Sequence, residues 1–542
     1  REPNLTMGRP PRWRRSPARA FGLACFAPAA AALRTARHRS LLCDVSDVQA
    51  NTEPDISMSR PDLRQPSLCQ PQLRQEWLQA STDCTVQEGP YDVRQALAPF
   101  WDGHGCPLTA EGLRRAATPA GHVGARLRLR RALLKLLQGE PLYVTVLGGS
   151  MTIGHQSLRS WPERLGDLFR KLKLPVFLVN HGQGGTTSRW VLANWNSLSP
   201  DFQRSDLILV DYGINDQGKN FDFRTLDGLG DQVVTGVYTD MLKMLLGLPN
   251  KPAVMDIETF KKVSVMTLTE QDEDGDLEIE EGWPWPGEHR RKEAPVEKCT
   301  DFNISTYRHW TVNRELDIPT VSYTEAVCSS GRTYWMREGE QQPDENELQH
   351  PGTVTHDLFA RILRGVLLQE MEAVCTEGVL GSEYPADIAD KVGNTIRCLA
   401  TPTSYYHARL GYDAFKPLLS DNWFFEEDVP GKPGWIAHGG TVAEGGKMAI
   451  QRYGQLSFEV TTESGWLQVE FLSTYENIGF VSVWLDDKEP SDENSCRLDG
   501  FWLEHSSQSR FKLMQTGLPP GRHVLNFRAY GMKFKLLGIA TC

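Results

Sequence analysis

The chain has 542 residues, with 58 lysines and arginines against 69 aspartates and glutamates, which gives a formal net charge of −11. This acidic balance argues against a nucleic-acid-binding protein, which would carry a basic stripe, and no apolar run approaches the ~20 residues of a membrane span. An apolar content of 40% and a charged content of 23% are typical of globular proteins, and the length predicts two to four domains.

The amino terminus has the composition of a targeting segment. Residues 1–43 contain nine arginines and one acidic residue, and they enclose an apolar run at 21–33 that is short enough for a signal-peptide core. The arginines that resume at Arg34 fit an organelle transit peptide nearly as well. Residues 44–85 are polar and rich in Gln, Pro and Ser, which is typical of a linker.

Three apolar runs of strand length come next, and each ends in a turn. Each turn carries a candidate site residue: Ser150 after 143–148, Gly185 after 176–182 and Asn215 after 206–213. The turns are about one βαβ unit apart, roughly 30 residues, so a right-handed parallel sheet would bring them to one edge. A serine hydroxyl, a glycine N–H and an asparagine amide would then provide a nucleophile and donors for an oxyanion.

A base is expected from later in the chain. Two further strands are predicted, at 251–260 and 318–323. Glu347 and His350 follow them, directly before an amphipathic helix that begins after Pro351 and closes the domain. His350 is the candidate base, whereas His356, on the helix itself, is interpreted as structural.

Four motifs in this order resemble the sequence blocks of the SGNH (GDSL-type) hydrolase family. The blocks Gly-Asp-Ser-x-Thr-x-Gly, Asn-x-x-x-x-Gly-x-Thr-Ser, Gly-x-Asn-Asp and Asp-x-x-His-Pro correspond to residues 148–154, 180–188, 213–216 and 347–351. The resemblance covers about residues 141–375. It implies an α/β fold with a flavodoxin-like parallel sheet flanked by helices.

The resemblance also implies roles for the site residues. Ser150 would be the nucleophile, His350 the base and Glu347 the carboxylate that orients the imidazole. The N–H groups of Ser150 and Gly185 and the amide of Asn215 would form the oxyanion hole. Such a site requires neither a metal ion nor an organic cofactor.

This sequence departs from the family pattern at two positions. Gly149 replaces the motif aspartate before the serine, and Glu347 replaces the aspartate three residues before the histidine. Asp344, six residues before His350, is the alternative carboxylate, although it reaches the ring only if the intervening segment folds back.

An acidic insertion at about 267–300 interrupts the predicted hydrolase domain. Its run at 271–281 lacks the spacing of a calcium-binding EF-hand loop, so a solvated segment is expected there. Trp283 and Trp285 are possible substrate-binding residues, because exposed tryptophans beside an active site often stack on sugar rings. Packing of the insertion itself explains them equally well.

Beyond about residue 400 the hydrophobic pattern changes to a period of two. Short alternating runs separated by turns predict an antiparallel β-sandwich over 401–542. Its arrangement resembles the accessory sandwich of some algal SGNH proteins. It would act either as a glycan-binding module or as a domain that only packs on the hydrolase domain, which spans 86–400.

The cysteines indicate an oxidising compartment. Eleven cysteines include no Cys-x-x-Cys motif, which leaves zinc and redox sites without support. Cys496 was a candidate to pair with Cys542, and Cys375 with Cys398. A glycosylation sequon at Asn303 and the signal-like start favour the secretory pathway or the cell exterior, with an organelle as the alternative.

The sequence as a whole predicts a serine esterase that hydrolyses acyl esters, chiefly acetyl, on a polysaccharide. Two other functions remain open at this stage. The first is a glycan O-acyltransferase that uses the same site. The second is a glycan-binding protein whose site has decayed, as the substitutions at Gly149 and Glu347 would suggest. The oligomeric state is not predicted.

Overall fold

The computed structural model describes most of the chain beyond residue 68. The described ranges are 69–85, 89–216, 230–259, 266–267, 292–293, 304–307, 309–340, 350–385, 404–438, 441–444, 447–450, 452–475, 477–486, 489–490, 495–501, 507–515, 518–530 and 532–542. The targeting segment, most of the predicted linker and most of the acidic insertion lie outside these ranges. So do five residues singled out above: Trp283, Trp285, Asn303, Asp344 and Glu347.

The helices of the hydrolase region precede, connect and follow the strands of its sheet. They are α1 (Pro71–Thr82), α2 (Tyr91–His104), α3 (Ala110–Ala117), α4 (Leu127–Leu137), α5 (Ser150–Ile153), α6 (Trp161–Lys171), α7 (Ser188–Ala193), α8 (Trp195–Phe202), α9 (Gly213–Asp216), α10 (Gly230–Leu246), α11 (His309–Glu315), α12 (Tyr323–Val327) and α13 (Thr353–Glu377). Helix α1 lies within the segment 44–85 that we expected to be a linker, so helical structure begins before residue 86.

Five parallel strands form the central sheet. They belong to the series β1 (Leu142–Gly148), β2 (Val176–Asn180), β3 (Leu207–Asp211), β4 (Ala253–Glu258), β5 (Met266–Thr267), β6 (Lys292–Glu293) and β7 (Thr320–Ser322), in which β5 and β6 form a separate antiparallel pair. The sheet order is β2-β1-β3-β4-β7. This is the flavodoxin-like order, in which the chain reverses direction across the sheet between β1 and β3, and ligands bind at the carboxyl ends of the strands near that point.

The strands are apolar on both faces because helices cover both sides of the sheet. In β3, Leu207 and Leu209 pack into one hydrophobic cluster, which they share with α4, α6 and α13. Ile208 and Val210 point the opposite way, into a second cluster with α7, α8 and α10. A parallel sheet buried on both faces is expected to show such continuous apolar runs, and the predicted α/β fold is confirmed.

The carboxyl-terminal region is built from antiparallel strands. They are β8 (Ser404–His407), β9 (Leu419–Ser420), β10 (Trp423–Glu427), β11 (Pro433–Ala437), β12 (Thr441–Glu444), β13 (Lys447–Ile450), β14 (Arg452–Thr462), β15 (Leu467–Ser473), β16 (Phe480–Leu485), β17 (Ser495–Asp499), β18 (Gln508–Gln515), β19 (Gly521–Tyr530) and β20 (Phe534–Thr541). One sheet has the order β10-β11-β20-β15-β18, with β8 also paired to β20, and the other has the order β17-β16-β19-β14-β9. A single apolar cluster lies between them, so the predicted β-sandwich is confirmed.

Disulfides attach the first helices to the hydrolase core. Cys69, just before α1, is bonded to Cys375 in α13, and Cys84 is bonded to Cys106. The first of these bonds spans 306 residues of sequence. It holds α1 against α13, in a part of the chain whose composition alone suggested a linker.

Both expected disulfide pairings are wrong. Cys375 is bonded to Cys69 rather than to Cys398. Cys496 carries a free thiol, whereas Cys542 takes part in a disulfide. The physical reason for the second error is that Cys496 lies on β17 in one sheet, whereas Cys542 follows β20 in the other.

In the part of the chain described, no helix is both long enough and apolar enough to cross a membrane.

Candidate active site

Ser150 stands at the carboxyl end of β1, where the chain turns sharply into α5. Gly149 precedes it, and a Cβ atom at Gly149 would lie 2.3 Å from the side-chain nitrogen of Asn215. No side chain fits in that space. The glycine in the first motif therefore allows the amide of Asn215 to pack directly against the backbone beside the serine.

His350 reaches Ser150 from the far end of the hydrolase region. Its Nε2 lies 2.6 Å from Oγ of Ser150, across 200 residues of sequence. Both side chains are half-buried. The distance is that of a strong hydrogen bond, and a serine hydroxyl beside an imidazole nitrogen is the pairing that activates a nucleophile.

The position of His350 depends on the start of α13. Gly352 donates its N–H to the carbonyl of Met336, and its Cα leaves no room for a side chain against the backbone of Glu338. The carboxylate of Glu338 accepts from both the N–H and the hydroxyl of Thr353, at 2.7 and 2.6 Å. These bonds satisfy the helix terminus and fix the chain just after the histidine.

A buried ion pair holds α13 against α6. Asp357 accepts from the guanidinium of Arg164 at 2.7 Å and from that of Arg361 at 2.8 Å, and all three side chains are fully buried. Burial raises the pKa of Asp357, but the two arginines outweigh it and the pKa falls below its usual range. The carboxylate therefore stays charged, and α13, which begins just after His350, stays in register with α6.

The two remaining candidates for an oxyanion hole lie next to Ser150. Gly185 has φ +74, a left-handed conformation that favours glycine. Asn215, in α9, donates from its side-chain nitrogen to the carbonyl of Thr186 at 2.6 Å. Among the described residues, the N–H groups of Ser150 and Gly185 donate to no protein acceptor. The sheet thus brings the three predicted strand ends together.

A buried histidine that the sequence did not reveal supports the Asn215 turn. His309 lies between Asp216 and Asp256, with Nε2 3.0 Å from the former and Nδ1 3.4 Å from the latter. Tyr238 stacks on the imidazole at 3.5 Å. Burial alone would lower the pKa of His309, but its hydrogen bonds to the two carboxylates raise it to about 9. A buried imidazolium therefore offsets part of the negative charge of the two aspartates beneath the turn.

Asp211, the last residue of β3, ties the nucleophile turn to the sheet. It accepts from Thr152 Oγ1 at 2.8 Å and from Trp161 Nε1 at 3.0 Å. Burial is the main influence on this carboxyl and raises its pKa to about 7. Asp211 does not contact Ser150, and we assign it a supporting position under the turn.

Two further histidines lie near the dyad. His356 is fully buried, and its Nδ1 accepts from the N–H of Trp161 at 3.1 Å. Burial is the first cause that lowers the pKa of His356, to about 3, so the ring is neutral and matches the structural interpretation. His155 stands edge-on to His350, with ring centroids 4.8 Å apart.

The β-sandwich contacts the oxyanion residues directly. Ser509 in β18 donates its N–H to the carbonyl of Gly185 at 2.6 Å, and Gln508 donates from Nε2 to the carbonyl of Asn215 at 3.0 Å. The ring of Phe511 lies 5.6 Å beneath the guanidinium of Arg189. The sequence left open whether the sandwich binds glycan or only packs on the hydrolase domain. Nothing in its spacing indicated that β18 would touch the second and third motifs.

The sequence matches no family model and no curated protein. Two solved structures of a two-domain esterase (CEX) active on acetylated mannans, one of them with mannopentaose, are 15% and 16% identical to this chain, with TM-scores of 0.49 and 0.45. Each similarity covers 77% of this chain and 95% of the other. The acetylxylan esterase Axe2 from Geobacillus stearothermophilus is 16% identical over 42% of this chain and 94% of its own, with a TM-score of 0.27.

Proposed function

We propose that this protein is a serine esterase of the SGNH type that removes acyl groups, chiefly acetyl, from a polysaccharide. Ser150 Oγ attacks the ester carbonyl while its proton passes to Nε2 of His350. The alcohol leaves with that proton, and a water molecule activated by the same nitrogen then releases the acid and restores the serine. The Ser150 and Gly185 N–H groups and the Asn215 amide stabilise the oxyanion.

The 2.6 Å contact between Ser150 Oγ and His350 Nε2 carries this proposal. A purely structural role for the histidine would not account for its contact with a half-buried serine at the carboxyl end of a parallel strand. Open N–H groups at Ser150 and Gly185 supply what an acyl-transfer site needs beyond the dyad.

The contact between Gly149 and Asn215 argues against a decayed site. Loss of the motif aspartate looks like degeneration in the sequence. In the structure, however, the missing side chain leaves the space that the Asn215 amide occupies. A glycine at this position is therefore compatible with a working oxyanion hole.

Glu347 is proposed as the residue that orients His350, with Asp344 as the competing candidate. In a serine triad the carboxylate selects the imidazole tautomer that accepts at Nε2, and it stabilises the imidazolium. The register of the family motif favours Glu347. The proposed roles of Trp283 and Trp285 in binding sugar rings rest likewise on the sequence.

We place the protein in the secretory pathway or outside the cell. Disulfides persist in oxidising compartments and are rare in the cytosol. The bonds Cys69–Cys375 and Cys84–Cys106 therefore favour an oxidising compartment. The extracellular setting agrees with a polysaccharide substrate.

Covalent labelling with a fluorophosphonate probe tests the proposal. The wild-type protein should be labelled and should release acetate from chromogenic acetyl esters and from acetylated mannan or xylan, whereas Ser150→Ala should do neither. Ser197→Ala is the matched control, because Ser197 is exposed on α8 and its hydroxyl donates to the carbonyl of Asn194. Undiminished labelling of Ser150→Ala would refute the assignment. Transfer of acetyl to added sugar in preference to water would favour the acyltransferase.

A further inference from the structure

A lysine of the sandwich stands beside the nucleophile. Lys432 Nζ lies 3.9 Å, and Ser150 Cβ 4.0 Å, from the position of a Cβ atom built on Gly184. The two atoms are therefore closer than the ~8 Å over which charges act in physiological salt. Gly184 has no side chain to fill the space between them, so the ammonium group lies within reach of a substrate bound at Ser150.

The turn that carries Lys432 is well defined. It joins β10 to β11, and the N–H of Gly431 donates to the Glu427 carboxylate at 2.8 Å. The carbonyl of Lys432 accepts from Lys535 Nζ at 2.5 Å, while its N–H donates to the carbonyl of Val429. Because the N–H and the carbonyl of Lys432 are both hydrogen-bonded, its backbone is fixed, and the side chain extends from there towards Ser150.

Within the described ranges, no carboxylate forms an ion pair with Lys432. Asp428 accepts from Lys533 at 2.8 Å and also from Lys535, and thereby neutralises two neighbouring lysines. Lys432 has no carboxylate within ion-pair distance in the described ranges. The chain as a whole has a net charge of −11, so a positive charge beside Ser150 differs in sign from the overall charge of the protein.

This positive charge works against the proposed chemistry, because it offsets part of the stabilisation that the proposed Glu347 carboxylate would give to the imidazolium of His350. Burial, and next the charge of Lys432, lower the pKa of His155, which stands edge-on to His350. The same charge disfavours the imidazolium that forms at His350 when Ser150 attacks. An anionic group on the substrate would remove this penalty and gain a charge-assisted hydrogen bond.

We propose that Lys432 binds a carboxylate of the substrate, so that the preferred ester is an O-acetyl group on an acidic saccharide. This inference rests on the proposed esterase function and adds the substrate class. The acetylated carbon would sit at Ser150, and the sugar carboxylate would face the Lys432 ammonium across Gly184. Lysine acts here as a point charge with three donors, without the bidentate geometry of arginine.

A matched pair of substrates tests this assignment. Acetate release is compared between acetylated oligogalacturonide with free carboxylates and the same material with its carboxylates methyl-esterified. We expect the wild-type kcat/KM to favour the free carboxylate by about tenfold or more, as one charge-assisted hydrogen bond would give. Lys432→Glu should abolish or reverse that preference. An equal ratio in wild type and Lys432→Glu would overturn the inference.

Lys173→Glu is the control for net charge. Lys173 is exposed and lies in the turn before β2. It is therefore at the amino ends of the strands, whereas Ser150 follows the carboxyl end of β1. It changes the total charge by the same amount and should leave the substrate ratio as in wild type. If it lowers the ratio as far as Lys432→Glu does, the effect is long-range and the local site is refuted.

Binding without catalysis separates this inference from the esterase proposal. Calorimetry measures the affinity of the Ser150→Ala protein for deacetylated oligogalacturonide, with and without Lys432→Glu. We expect the second substitution to weaken binding by about tenfold. A protein that binds the oligomer through Lys432 but releases no acetate would disprove the esterase alone. If Lys432→Glu leaves the affinity unchanged, the proposed carboxylate site is disproved, whether or not the protein is an esterase.

Discussion

The side-chain amide of Gln508 donates a hydrogen bond to the backbone carbonyl of Asn215, with 3.0 Å between the heavy atoms. The bond joins the β-sandwich to the turn that carries a proposed oxyanion donor. The neighbouring Ser509 N–H holds the carbonyl of Gly185 in the same way. One strand of the accessory domain therefore holds both turns from outside the hydrolase sheet. This contact gives the sandwich a place in the active-site geometry whether or not it binds glycan.

Gln508→Glu should lower kcat by about fivefold while KM changes little. The carboxylate keeps the shape of the side chain but cannot donate to the Asn215 carbonyl, and one such bond is worth roughly 1 kcal/mol. Steady-state kinetics with a small acetyl ester measures the effect, because such a substrate makes few contacts with the sandwich. A rise in KM at constant kcat would instead make Gln508 a substrate-binding residue.

Gly149→Asp should inactivate the protein, although it restores the aspartate of the family motif. A Cβ atom at this position meets the Asn215 side-chain nitrogen at 2.3 Å, and Asn215 would have to move away from the oxyanion. Loss of one oxyanion donor typically costs about 10²–10³ in kcat. Gly149→Ala should show a similar loss, since the clash involves Cβ alone.

Gly166→Ala serves as the control for these glycine substitutions. Gly166 lies in α6 and has no atom within 4 Å of the position of an added Cβ, so the change should leave kcat unaltered. Thermal unfolding of all three variants shows whether they remain folded. Full activity in Gly149→Ala would mean that the Asn215 amide does not depend on this space.

Replacement of His309 should change how stability depends on pH. The folded pKa of His309, about 9, lies above the unfolded value of about 6.5. The stabilisation is therefore fully present below about pH 6.5 and is lost as pH rises through about 9, with a total of roughly 3 kcal/mol. Urea unfolding at pH 6.5 and pH 9.5 measures the loss. Asp211 and Glu258, whose pKa values burial raises to about 7, also lose their stabilising effect as pH rises, but within the lower window from about pH 4 to pH 7.

His309→Gln should unfold at lower urea concentration and should lack most of the stability loss between pH 7 and 9. Its neutral amide can still donate to one of the two aspartates, which keeps the variant foldable. A variant with the same pH dependence as wild type would show that other groups account for the slope.

The sequence predicted the elements whose signals are local. Apolar runs that end in glycines located the strands, and the spacing of the turns at Ser150, Gly185 and Asn215 placed these residues at one edge. The contacts that it missed join distant segments by a single side chain. Gln508 lies 293 residues from Asn215, and His309 occurs in an ordinary amphipathic helix. Neither position lies in a recognisable sequence motif, because its hydrogen-bond partner depends on how distant segments pack in the folded protein.

The disulfides also show that contacts between distant segments are hard to predict from the sequence. The expected pairs joined Cys375 to Cys398 and Cys496 to Cys542, each within one region of the chain, but Cys69 bonds across 306 residues to α13. Loop-closure entropy grows only slowly with length, so a long-range bond costs little more than a short one once the fold brings the sulfurs together. Sequence separation is therefore a poor guide to pairing in a domain of this size.

The carboxylate that orients His350 is the part of the proposed triad with most at stake. Glu347 stands three residues before the histidine, where the family motif has aspartate, and its side chain is one methylene longer. The backbone must then lie further from the ring for the carboxylate to reach Nδ1. Asp344 would need the chain to fold back on itself. The strong 2.6 Å contact at Nε2 requires a partner at Nδ1 that holds the tautomer.

Glu347→Gln should therefore reduce kcat strongly, by up to about 10⁴ as for the equivalent change in a serine protease triad, while the melting temperature stays within a few degrees. Asp344→Asn, assayed in parallel, should remain near wild type. The pH profile of kcat/KM adds a readout that a structural role would not move, because loss of the carboxylate lowers the pKa of the His350 imidazolium and shifts the acid limb to lower pH. If Asp344→Asn is the impaired variant, the assignment passes to Asp344. If both variants are active, His350 works with Ser150 alone, oriented by a backbone carbonyl.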